Sequence, residues 1–240
     1  MEITTPQKEQ LSNEGYLVLD NLFTEQEVDA MIQVIDSITA SGPAFRVTSD
    51  LFAIRRFIKE VPTVIPYIFT NTLQIYINQL FGNGYFLTKS IYFDKPEQSN
   101  WFVAYHQDLT ISVTEKLPVD GFNQWTVKHD QFAVQPPVSF LENIFTIRIH
   151  LDDTDENNGA LKIIPQSHCK GIWRIDTLDH TKETEVVCKV QKGGVMIMQP
   201  LLLHASNRTT NKSRRRVIHL EFSNQPLPGG LQWAEYLSIQ

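Results

Sequence analysis

The sequence predicts a mainly β protein with helices at its N-terminal end, and three observations lead to this fold class. Apolar residues repeat at helical spacing before residue 84, aromatic and β-branched runs dominate after it, and turn residues separate those runs. Short strands between frequent turns are typical of a sandwich or a barrel. We therefore expect one domain over residues 1–240, with mostly helical support over 1–84 and the β core over 85–225.

The helices are predicted from their start signals and their apolar spacing. Thr24 and Glu27 form a capping pattern, and the apolar residues that follow recur every three or four positions as far as Ile38. A second helix is predicted from Val61 to Phe81, where Gly82 supplies the stop.

The β core is predicted from aromatic and β-branched runs that end at turns. In chain order, the strands are Tyr85–Phe93, Trp101–His106, Phe145–Leu151, Leu161–Ile164, Val186–Val190, Val195–Met198 and Arg216–Phe222. Residues 109–141 contain three prolines and little periodicity, which predicts a long loop. A loop of that length is uncommon unless it has a function.

Composition excludes several classes of protein. Lys and Arg number 21 against 27 Asp and Glu, so the net charge is −6, which disfavours a nucleic-acid partner. Two cysteines argue against a disulfide scaffold and a zinc cluster. No apolar run approaches the roughly 20 residues of a membrane span, and the polar start lacks the apolar core of a signal peptide. We expect a cytoplasmic protein with no membrane contact, and the oligomeric state stays open.

Histidine followed by an acid two positions later is the most informative pattern. On a strand, this spacing puts both side chains on one face. With a histidine from elsewhere, the pair makes the facial triad of non-haem Fe(II) oxygenases, which leaves coordination positions open. Seven histidines would give on the order of one such match by chance. The chain has three, so their context has to decide: His106-Gln107-Asp108, His150-Leu151-Asp152 and His219-Leu220-Glu221.

Context favours the first triplet. No histidine follows His219 to complete a triad, and Asp152 opens a turn-rich stretch in which it is more simply a turn residue. His106 and Asp108 lie where a strand meets the long loop, a common position for active-site residues.

The third ligand is predicted further along the chain. His204 follows an apolar stretch and is itself followed by the basic run 214–216. Ferrous oxygenases often use 2-oxoglutarate, whose distal carboxylate requires a fixed cation, and the arginine fork suits a carboxylate. An arginine one strand beyond the distal histidine could reach the distal carboxylate of 2-oxoglutarate.

With these residues, the sequence resembles the phytanoyl-CoA dioxygenase family of Fe(II)- and 2-oxoglutarate-dependent oxygenases. The resemblance extends from Gly15 to Phe222. Its sharpest matches are Trp101 with His106-Gln107-Asp108-Leu109, Leu151-Asp152-Asp153-Thr154, Asn158-Gly159-Ala160-Leu161, Ile164-Pro165-Gln166-Ser167-His168 and His204-Ala205-Ser206.

The resemblance implies a double-stranded β-helix (jelly-roll, cupin-like) core that requires Fe(II), 2-oxoglutarate and O2. It assigns the metal ligands to His106, Asp108 and His204. The arginine of the family lies eleven residues after the distal histidine, which selects Arg215. A serine near the co-substrate falls on Ser206, and a looser match makes Lys89 a contact of the keto acid. Halogenating relatives replace the carboxylate, so Asp108 favours hydroxylation.

Two departures from better-known members of the family concern the substrate pocket. The long loop carries Trp125, and Arg148 stands where a tryptophan near the co-substrate is common. Arg148 could bind an anionic substrate group or form a buried ion pair. His168 is expected to be a turn histidine bonded to backbone, and His219 a hydrogen-bonded core histidine.

These expectations together predict a dioxygenase that hydroxylates an unidentified small molecule and releases succinate and CO2. Two alternatives stay open. One is a metal-binding or small-molecule-binding protein on the same fold without turnover. The other is a structural or interaction protein in which the triad is accidental.

Overall fold

The computed structural model describes residues 2–50, 52–97, 99–128, 131–173, 178–179 and 181–239. The helices are α1 (Thr5–Glu14), α2 (Glu25–Asp36), α3 (Phe57–Glu60), α4 (Ile65–Ile68), α5 (Asn71–Phe81) and α6 (Val138–Leu141), and 3-10 turns occupy Pro62–Val64 and Ser167–Lys170. The strands are β1 (Tyr16–Leu19), β2 (Phe45–Val47), β3 (Phe52–Arg55), β4 (Phe86–Lys95), β5 (Val103–His106), β6 (Ile111–Val113), β7 (Asn123–Lys128), β8 (Gln131–Gln135), β9 (Ile144–His150), β10 (Leu161–Ile163), β11 (Val186–Cys188), β12 (Val195–Met198), β13 (His204–Ser206), β14 (Arg215–Ser223) and β15 (Leu237–Ser238).

Two antiparallel sheets form the core of the molecule. The larger sheet has the order β1-β12-β9-β14-β4-β3-β2, and β15 pairs with β4. The smaller sheet has the order β11-β10-β13-β5. Consecutive strands of the core alternate between the two sheets at several points, as in a double-stranded β-helix. The predicted fold class, mainly β with N-terminal helices around a jelly-roll core, is confirmed.

Strand β14 shows why the larger sheet has two different faces. Ile218, Leu220 and Phe222 point away from the smaller sheet, and the main apolar cluster with α2 and α5 buries all three completely. The alternate residues, among them His219 and Glu221, point between the sheets and are also buried. Because side chains alternate along a strand, one strand supplies both the apolar core and a polar interior.

The N-terminal third follows the prediction for α2 and departs from it elsewhere. The capping box of Thr24 and Glu27 is present, since the Thr24 hydroxyl accepts the Glu27 N–H while the Glu27 carboxylate accepts the Thr24 N–H. Segment 1–84 is mostly helical as predicted, but it also contributes β1, β2 and β3 to the larger sheet. These three strands are too short to show a period-two pattern.

The single helix predicted from Val61 to Phe81 is wrong. A 3-10 turn begins at Pro62 and passes into α4, which ends at Ile68. The chain then leaves helical geometry at Phe69, and Thr70 starts α5 by accepting the Leu73 N–H at 3.3 Å. Threonine is a favoured N-cap because its hydroxyl satisfies a free N–H, and this start signal divides the apolar pattern.

The prediction of a long loop over residues 109–141 is also wrong. This segment folds into the three-stranded sheet β6-β8-β7 and ends in α6. Its own apolar cluster includes Ile111, Val113, Val134 and Leu141. The strands were missed because β6 has three residues and β7 contains a register shift that interrupts the alternation.

Within the described ranges, no helix combines the length and apolar character that crossing a bilayer requires.

Candidate metal centre

Three side chains of the smaller sheet meet between the two sheets. His106 ends β5, Asp108 follows two residues later, and His204 begins β13 opposite His106. One ligand atom from each residue lies within 4.8 Å of the other two. The Nε2 atoms of His106 and His204 lie 3.9 and 3.7 Å from Asp108 Oδ1 and Oδ2, respectively. The antiparallel pairing of β5 with β13 therefore unites ligands that are almost a hundred residues apart in the sequence.

Hydrogen bonds turn both imidazole rings toward this point. His106 Nδ1 lies 2.9 Å from the backbone oxygen of Ala104, and His204 Nδ1 lies 2.8 Å from that of Leu202. A carbonyl oxygen only accepts, so Nδ1 carries the hydrogen in each ring and Nε2 keeps its lone pair. Metal-binding histidines are commonly fixed in this way by a second contact.

The turn that carries Asp108 is anchored by the residue between the two ligands. Gln107 Nε2 donates to the backbone oxygens of Leu201 at 2.6 Å and Gly171 at 2.9 Å. The backbone N–H of Asp108 donates to Pro200 at 2.9 Å. Gln107 and Asp108 thus tie the end of β5 to the segment leading into β13, which holds the three ligands in register.

The electrostatic surroundings keep the acid charged and the buried imidazole neutral. Burial lowers the pKa of His204 to about 4, against the opposing attraction of Asp108. Burial alone would raise the pKa of Asp108, but His204, His219 and Lys89 lower it well below its usual range. A neutral imidazole and an ionised carboxylate are the forms that bind a divalent cation.

A hydrogen-bonded chain of four residues lies behind Asp108 on the inner face of the larger sheet. Arg148 Nη1 lies 2.9 Å from His219 Nδ1, His219 Nε2 lies 3.0 Å from Glu221 Oε1, and Lys89 Nζ donates to the same oxygen at 2.7 Å. Because arginine only donates, His219 Nδ1 accepts and its Nε2–H donates to Glu221. Asp108, His219 and Glu221 could also group around an ion, but His219 and Glu221 are already engaged with each other.

The hydrogen bonds among these four residues determine the roles of His219, Arg148 and Lys89. His219 is a hydrogen-bonded core histidine, as predicted. Arg148 lines the cavity beside Asp108 and forms no ion pair with a described carboxylate, and its buried Nε has no hydrogen-bond partner. Lys89 lines the same cavity, but its ammonium is already paired with Glu221.

The far end of this metal-facing cavity, whose volume is about 210 Å³, is basic. Arg215 is 3% exposed, donates to the backbone oxygen of Gly159 and lies 3.5 Å from Ser206 Oγ. Its buried Nε has no hydrogen-bond partner. Lys95 is fully buried next to it and donates to the backbone oxygen of Asn207. Arg215 and Lys95 are therefore two adjacent cations without a described carboxylate to balance them.

The arginines on either side of Arg215 point the other way. Arg214 pairs with Asp94, and Arg216 pairs with Asp152 at 2.7 Å. Arg214 and Arg216 therefore lie on the opposite face of β14 from Arg215, because side chains alternate along a strand. Asp152 is not simply a turn residue, because its carboxylate accepts both the backbone N–H and the guanidinium of Arg216.

Two further predictions have clear outcomes. Trp125, predicted for the substrate pocket, does not line the metal-facing cavity. It lies on β7, packs against the apolar cluster of the three-stranded sheet and has Lys116 Nζ 5.9 Å from its ring centroid. His168 is a backbone-bonded turn histidine as predicted, since its Nε2 lies 3.1 Å from the Ser12 oxygen.

Lys95 was not predicted as a site residue, although the sequence of β4 contains a signal for it. Lys89, Ile91, Phe93 and Lys95 alternate toward the inner face, and Lys95 lies opposite Arg215 in the ladder. The period of two was visible in the sequence. The pairing that brings Lys95 to Arg215 was not, because register depends on the partner strand.

Comparison with known proteins agrees with this geometry. Residues 11–217 match the family model described as phytanoyl-CoA dioxygenase. No curated protein matches the chain. Among solved structures, EctD from S. alaskensis with 2-oxoglutarate and 5-hydroxyectoine superposes with a TM-score of 0.71 at 17% identity, over 92% of this chain and 76% of that one.

Two proteins of nogalamycin biosynthesis have the same fold. The non-haem alpha-ketoglutarate-dependent carbocyclase SnoK superposes with a TM-score of 0.65 at 15% identity, over 92% of this chain and 84% of that one. The epimerase SnoN, also alpha-ketoglutarate dependent, gives 0.69 at 13% identity, over 97% and 94%. Similar folds therefore carry out different reactions.

Proposed function

Because the chain belongs to the phytanoyl-CoA dioxygenase family, whose enzymes use Fe(II) and 2-oxoglutarate, we propose that it hydroxylates a small molecule with release of succinate and CO2. The observation that carries the proposal is the group formed by His106, Asp108 and His204, whose ligand atoms lie within 4.8 Å of one another. Two neutral imidazoles and one carboxylate are the ligand set of a facial triad.

These residues fit a ferrous ion in donor type and orientation. Both histidines offer a free Nε2, because each Nδ1 is engaged with a backbone oxygen. Asp108 supplies a charged oxygen from between them. When bound, the iron and 2-oxoglutarate use O2 to insert an oxygen atom into a substrate C–H bond.

The basic end of the cavity fits the distal carboxylate of 2-oxoglutarate. Arg215 is buried without a described acid partner, and its Nε has no acceptor. Burial, with Arg148 nearby, lowers the pKa of Arg215 to about 9, so the guanidinium stays protonated at neutral pH. A carboxylate here would accept two charge-assisted hydrogen bonds, with Ser206 as a neighbouring hydroxyl. Lys89 contributes less to this role because Glu221 neutralises it.

The remaining residues of the cavity exclude water and orient the substrate. Phe93 and Trp101 stack with ring centroids 6.3 Å apart on the wall of the metal-facing cavity. Arg148 keeps His219 in one tautomer and holds a free Nε toward the cavity. We assign Arg148 to the substrate side of the site.

The proposal is tested by anaerobic titration with Fe(II) and 2-oxoglutarate, followed through the visible absorption band of their chelate. Succinate is then measured after exposure to O2. His106→Ala, Asp108→Ala and His204→Ala should each abolish the band and succinate formation. Arg215→Ala should weaken 2-oxoglutarate binding about 100-fold, the equivalent of about 3 kcal/mol, and leave iron affinity nearly unchanged.

Arg214→Ala is the matched control, because Arg214 precedes Arg215 but pairs with Asp94 on the opposite face. It should bind 2-oxoglutarate normally. Equal loss of iron and 2-oxoglutarate in Arg215→Ala would show that the arginine is misassigned. A chelate band without any succinate formation would instead favour a binding protein without turnover.

A further inference from the structure

A second cavity adjoins the metal-facing one. The two share Lys89 and Ile91 as walls, and the second cavity has a volume of about 200 Å³. Its remaining walls come from the end of β3, from α3, from β4, β6 and β8, and from the segment just before β15. A substrate that reaches the metal ligands from this side would occupy both cavities.

Strand register places one cation of the second cavity in the same row as the metal-facing residues. Arg55 lies opposite Ile91, Ile91 lies opposite His219, and His219 lies opposite Arg148. Residues directly opposite each other on neighbouring strands have their side chains on the same face of the sheet. Arg55 therefore points to the inner face, two strand spacings or about 10 Å from His219.

Among the described residues that line the second cavity, basic side chains outnumber acidic ones. Arg55 is half-buried and Lys59 is exposed, and neither forms an ion pair with any residue in the described ranges. The other two basic residues of the wall are balanced, because Lys89 pairs with Glu221 and Arg56 lies 3.8 Å from Glu60.

The acid in this wall forms no ion pair with Arg55 or Lys59. Glu235 is the sole acidic residue among the described residues that line the second cavity. Its carboxylate accepts hydrogen bonds from the backbone N–H of Ser90 at 2.8 Å and from the Ser90 hydroxyl at 2.5 Å. These contacts turn Glu235 toward β4. Between the two ends, Ile91, Val113 and Phe132 supply an apolar wall.

We infer that the substrate carries an oxyanion, a carboxylate or a phosphate, that binds at Arg55 and Lys59 while its apolar part extends along Ile91 toward His106 and Asp108. An arginine fork beside a lysine suits either oxyanion, since both accept parallel charge-assisted hydrogen bonds. The inference names the substrate class of the proposed oxygenase, and its metal-facing half rests on that proposed function.

The test uses matched pairs of compounds. Straight-chain carboxylic acids are compared with their primary amides, and alkyl phosphates with the corresponding alcohols. Binding to the metal-free protein is measured by titration calorimetry, and binding to the anaerobic Fe(II) and 2-oxoglutarate form by the change in the chelate band. At least one acid or phosphate should bind tenfold or more tightly than its neutral analogue, and whichever series does so identifies the oxyanion.

Arg55→Gln and Lys59→Gln should each remove most of this preference for the charged compound, by about tenfold for Arg55→Gln. They should leave 2-oxoglutarate affinity and the melting temperature unchanged. Arg46→Gln is the matched control, because Arg46 is exposed on the adjacent strand β2 and lines neither cavity. It should bind the charged compound like the unsubstituted protein.

The inference is overturned if no charged compound binds better than its neutral analogue, or if Arg55→Gln keeps the full preference. Failure of the proposed function gives a different result. In that case the unsubstituted protein shows no chelate band and forms no succinate. Calorimetry on the metal-free protein still reports whether Arg55 favours the charged compound over its neutral analogue.

Discussion

The two faces of the larger sheet are built from the same strands and have opposite chemistry. The outer faces of β9 and β14 carry residues such as Ile147, Ile149 and Phe222, which pack into the main apolar cluster. The inner faces of these strands carry four of the described buried polar atoms that lack a hydrogen-bond partner: Thr146 Oγ1, Arg148 Nε, His150 Nε2 and Arg215 Nε. Leaving such atoms without partners costs stability. Arg148 and Arg215 line the metal-facing cavity, where a bound oxygen-rich ligand would relieve that cost.

The difference separates stability from function within single strands. An apolar residue on the outer face stabilises the fold through the area it buries. A charged residue on the inner face costs free energy to bury and contributes when a ligand satisfies it. Substitutions on the outer face should therefore lower stability and spare ligand binding, whereas inner-face substitutions should do the reverse.

The largest expected effect is that of Phe222→Ala on the outer face. Phe222 is fully buried, stacks on Phe145 with ring centroids 5.0 Å apart and meets Phe69 edge-on. Its truncation should lower the free energy of unfolding by about 4 kcal/mol, measured by urea denaturation, because it leaves a cavity. The Fe(II) and 2-oxoglutarate chelate band should persist at low temperature.

Phe102→Ala is the matched control for that substitution, since the Phe102 side chain is 53% exposed. It should cost less than about 1 kcal/mol. A comparable loss from both variants, or loss of 2-oxoglutarate binding in folded Phe222→Ala, would contradict the separation of the two faces.

The next effect concerns acid, which protonates histidines buried between the two sheets. Burial lowers the pKa of His204 to about 4 in the folded protein, whereas an unfolded histidine titrates near 6.5. The unfolded chain therefore takes up the proton first as the pH falls. Stability is complete above about pH 6.5 and decreases as the pH falls through about 4, by roughly 3 kcal/mol from this residue. His150 and His219, whose pKa values burial also lowers, act in the same direction.

Urea denaturation of the metal-free protein between about pH 7 and pH 4 measures this dependence. His204→Gln should flatten the curve, since the substituted side chain does not titrate. Phe222→Ala should shift the whole curve down and keep its shape. If His204→Gln retained the full pH dependence, the buried imidazole would not be its source.

The sequence predicted the parts of the site that depend on local spacing. His106 and Asp108 share a strand end, so the separation of two residues was enough to pair them. Arg215 was selected by the resemblance to the family, whose arginine lies eleven residues after the distal histidine, and its neighbours Arg214 and Arg216 meet Asp94 and Asp152 on the opposite face. Seven strands of the two core sheets were found within a few residues because they are rich in β-branched and aromatic residues, whereas the short strand β13, which carries His204, was not predicted.

Features that depend on register or on a competing start signal were missed. The row Arg55, Ile91, His219 and Arg148 joins four separate strands, and no local pattern specifies which residues lie opposite one another. Thr70 divides the helix predicted to Phe81 by capping α5, although the apolar spacing continues across it.

The smallest expected effect is that of Lys95→Met on the inner face, which should raise the free energy of unfolding. Lys95 is fully buried without a described acid partner, and burial, with Arg215 nearby, lowers the pKa of its ammonium to about 7. A lysine whose pKa is lowered on folding destabilises the protein at neutral pH, because the unfolded chain binds the proton more tightly. Methionine has a similar length and no charge. We expect the free energy of unfolding to rise by only about 1 kcal/mol at pH 7. The loss of the bond to Asn207 and of the contact with the Trp101 ring offsets part of the benefit of removing the buried ammonium.

The same substitution should weaken 2-oxoglutarate binding by roughly tenfold, because it removes the basic group opposite Arg215, which lines the metal-facing cavity. Lys189→Met is the control, since Lys189 is 63% exposed and pairs with Glu156 at the surface. It should change stability and 2-oxoglutarate affinity very little. Urea denaturation and chelate-band titration measure the two quantities in both variants. A loss of stability in Lys95→Met would mean that the contacts with Asn207 and Trp101 outweigh the cost of burying the ammonium. This inner-face charge would then stabilise the fold, as the outer-face residues do.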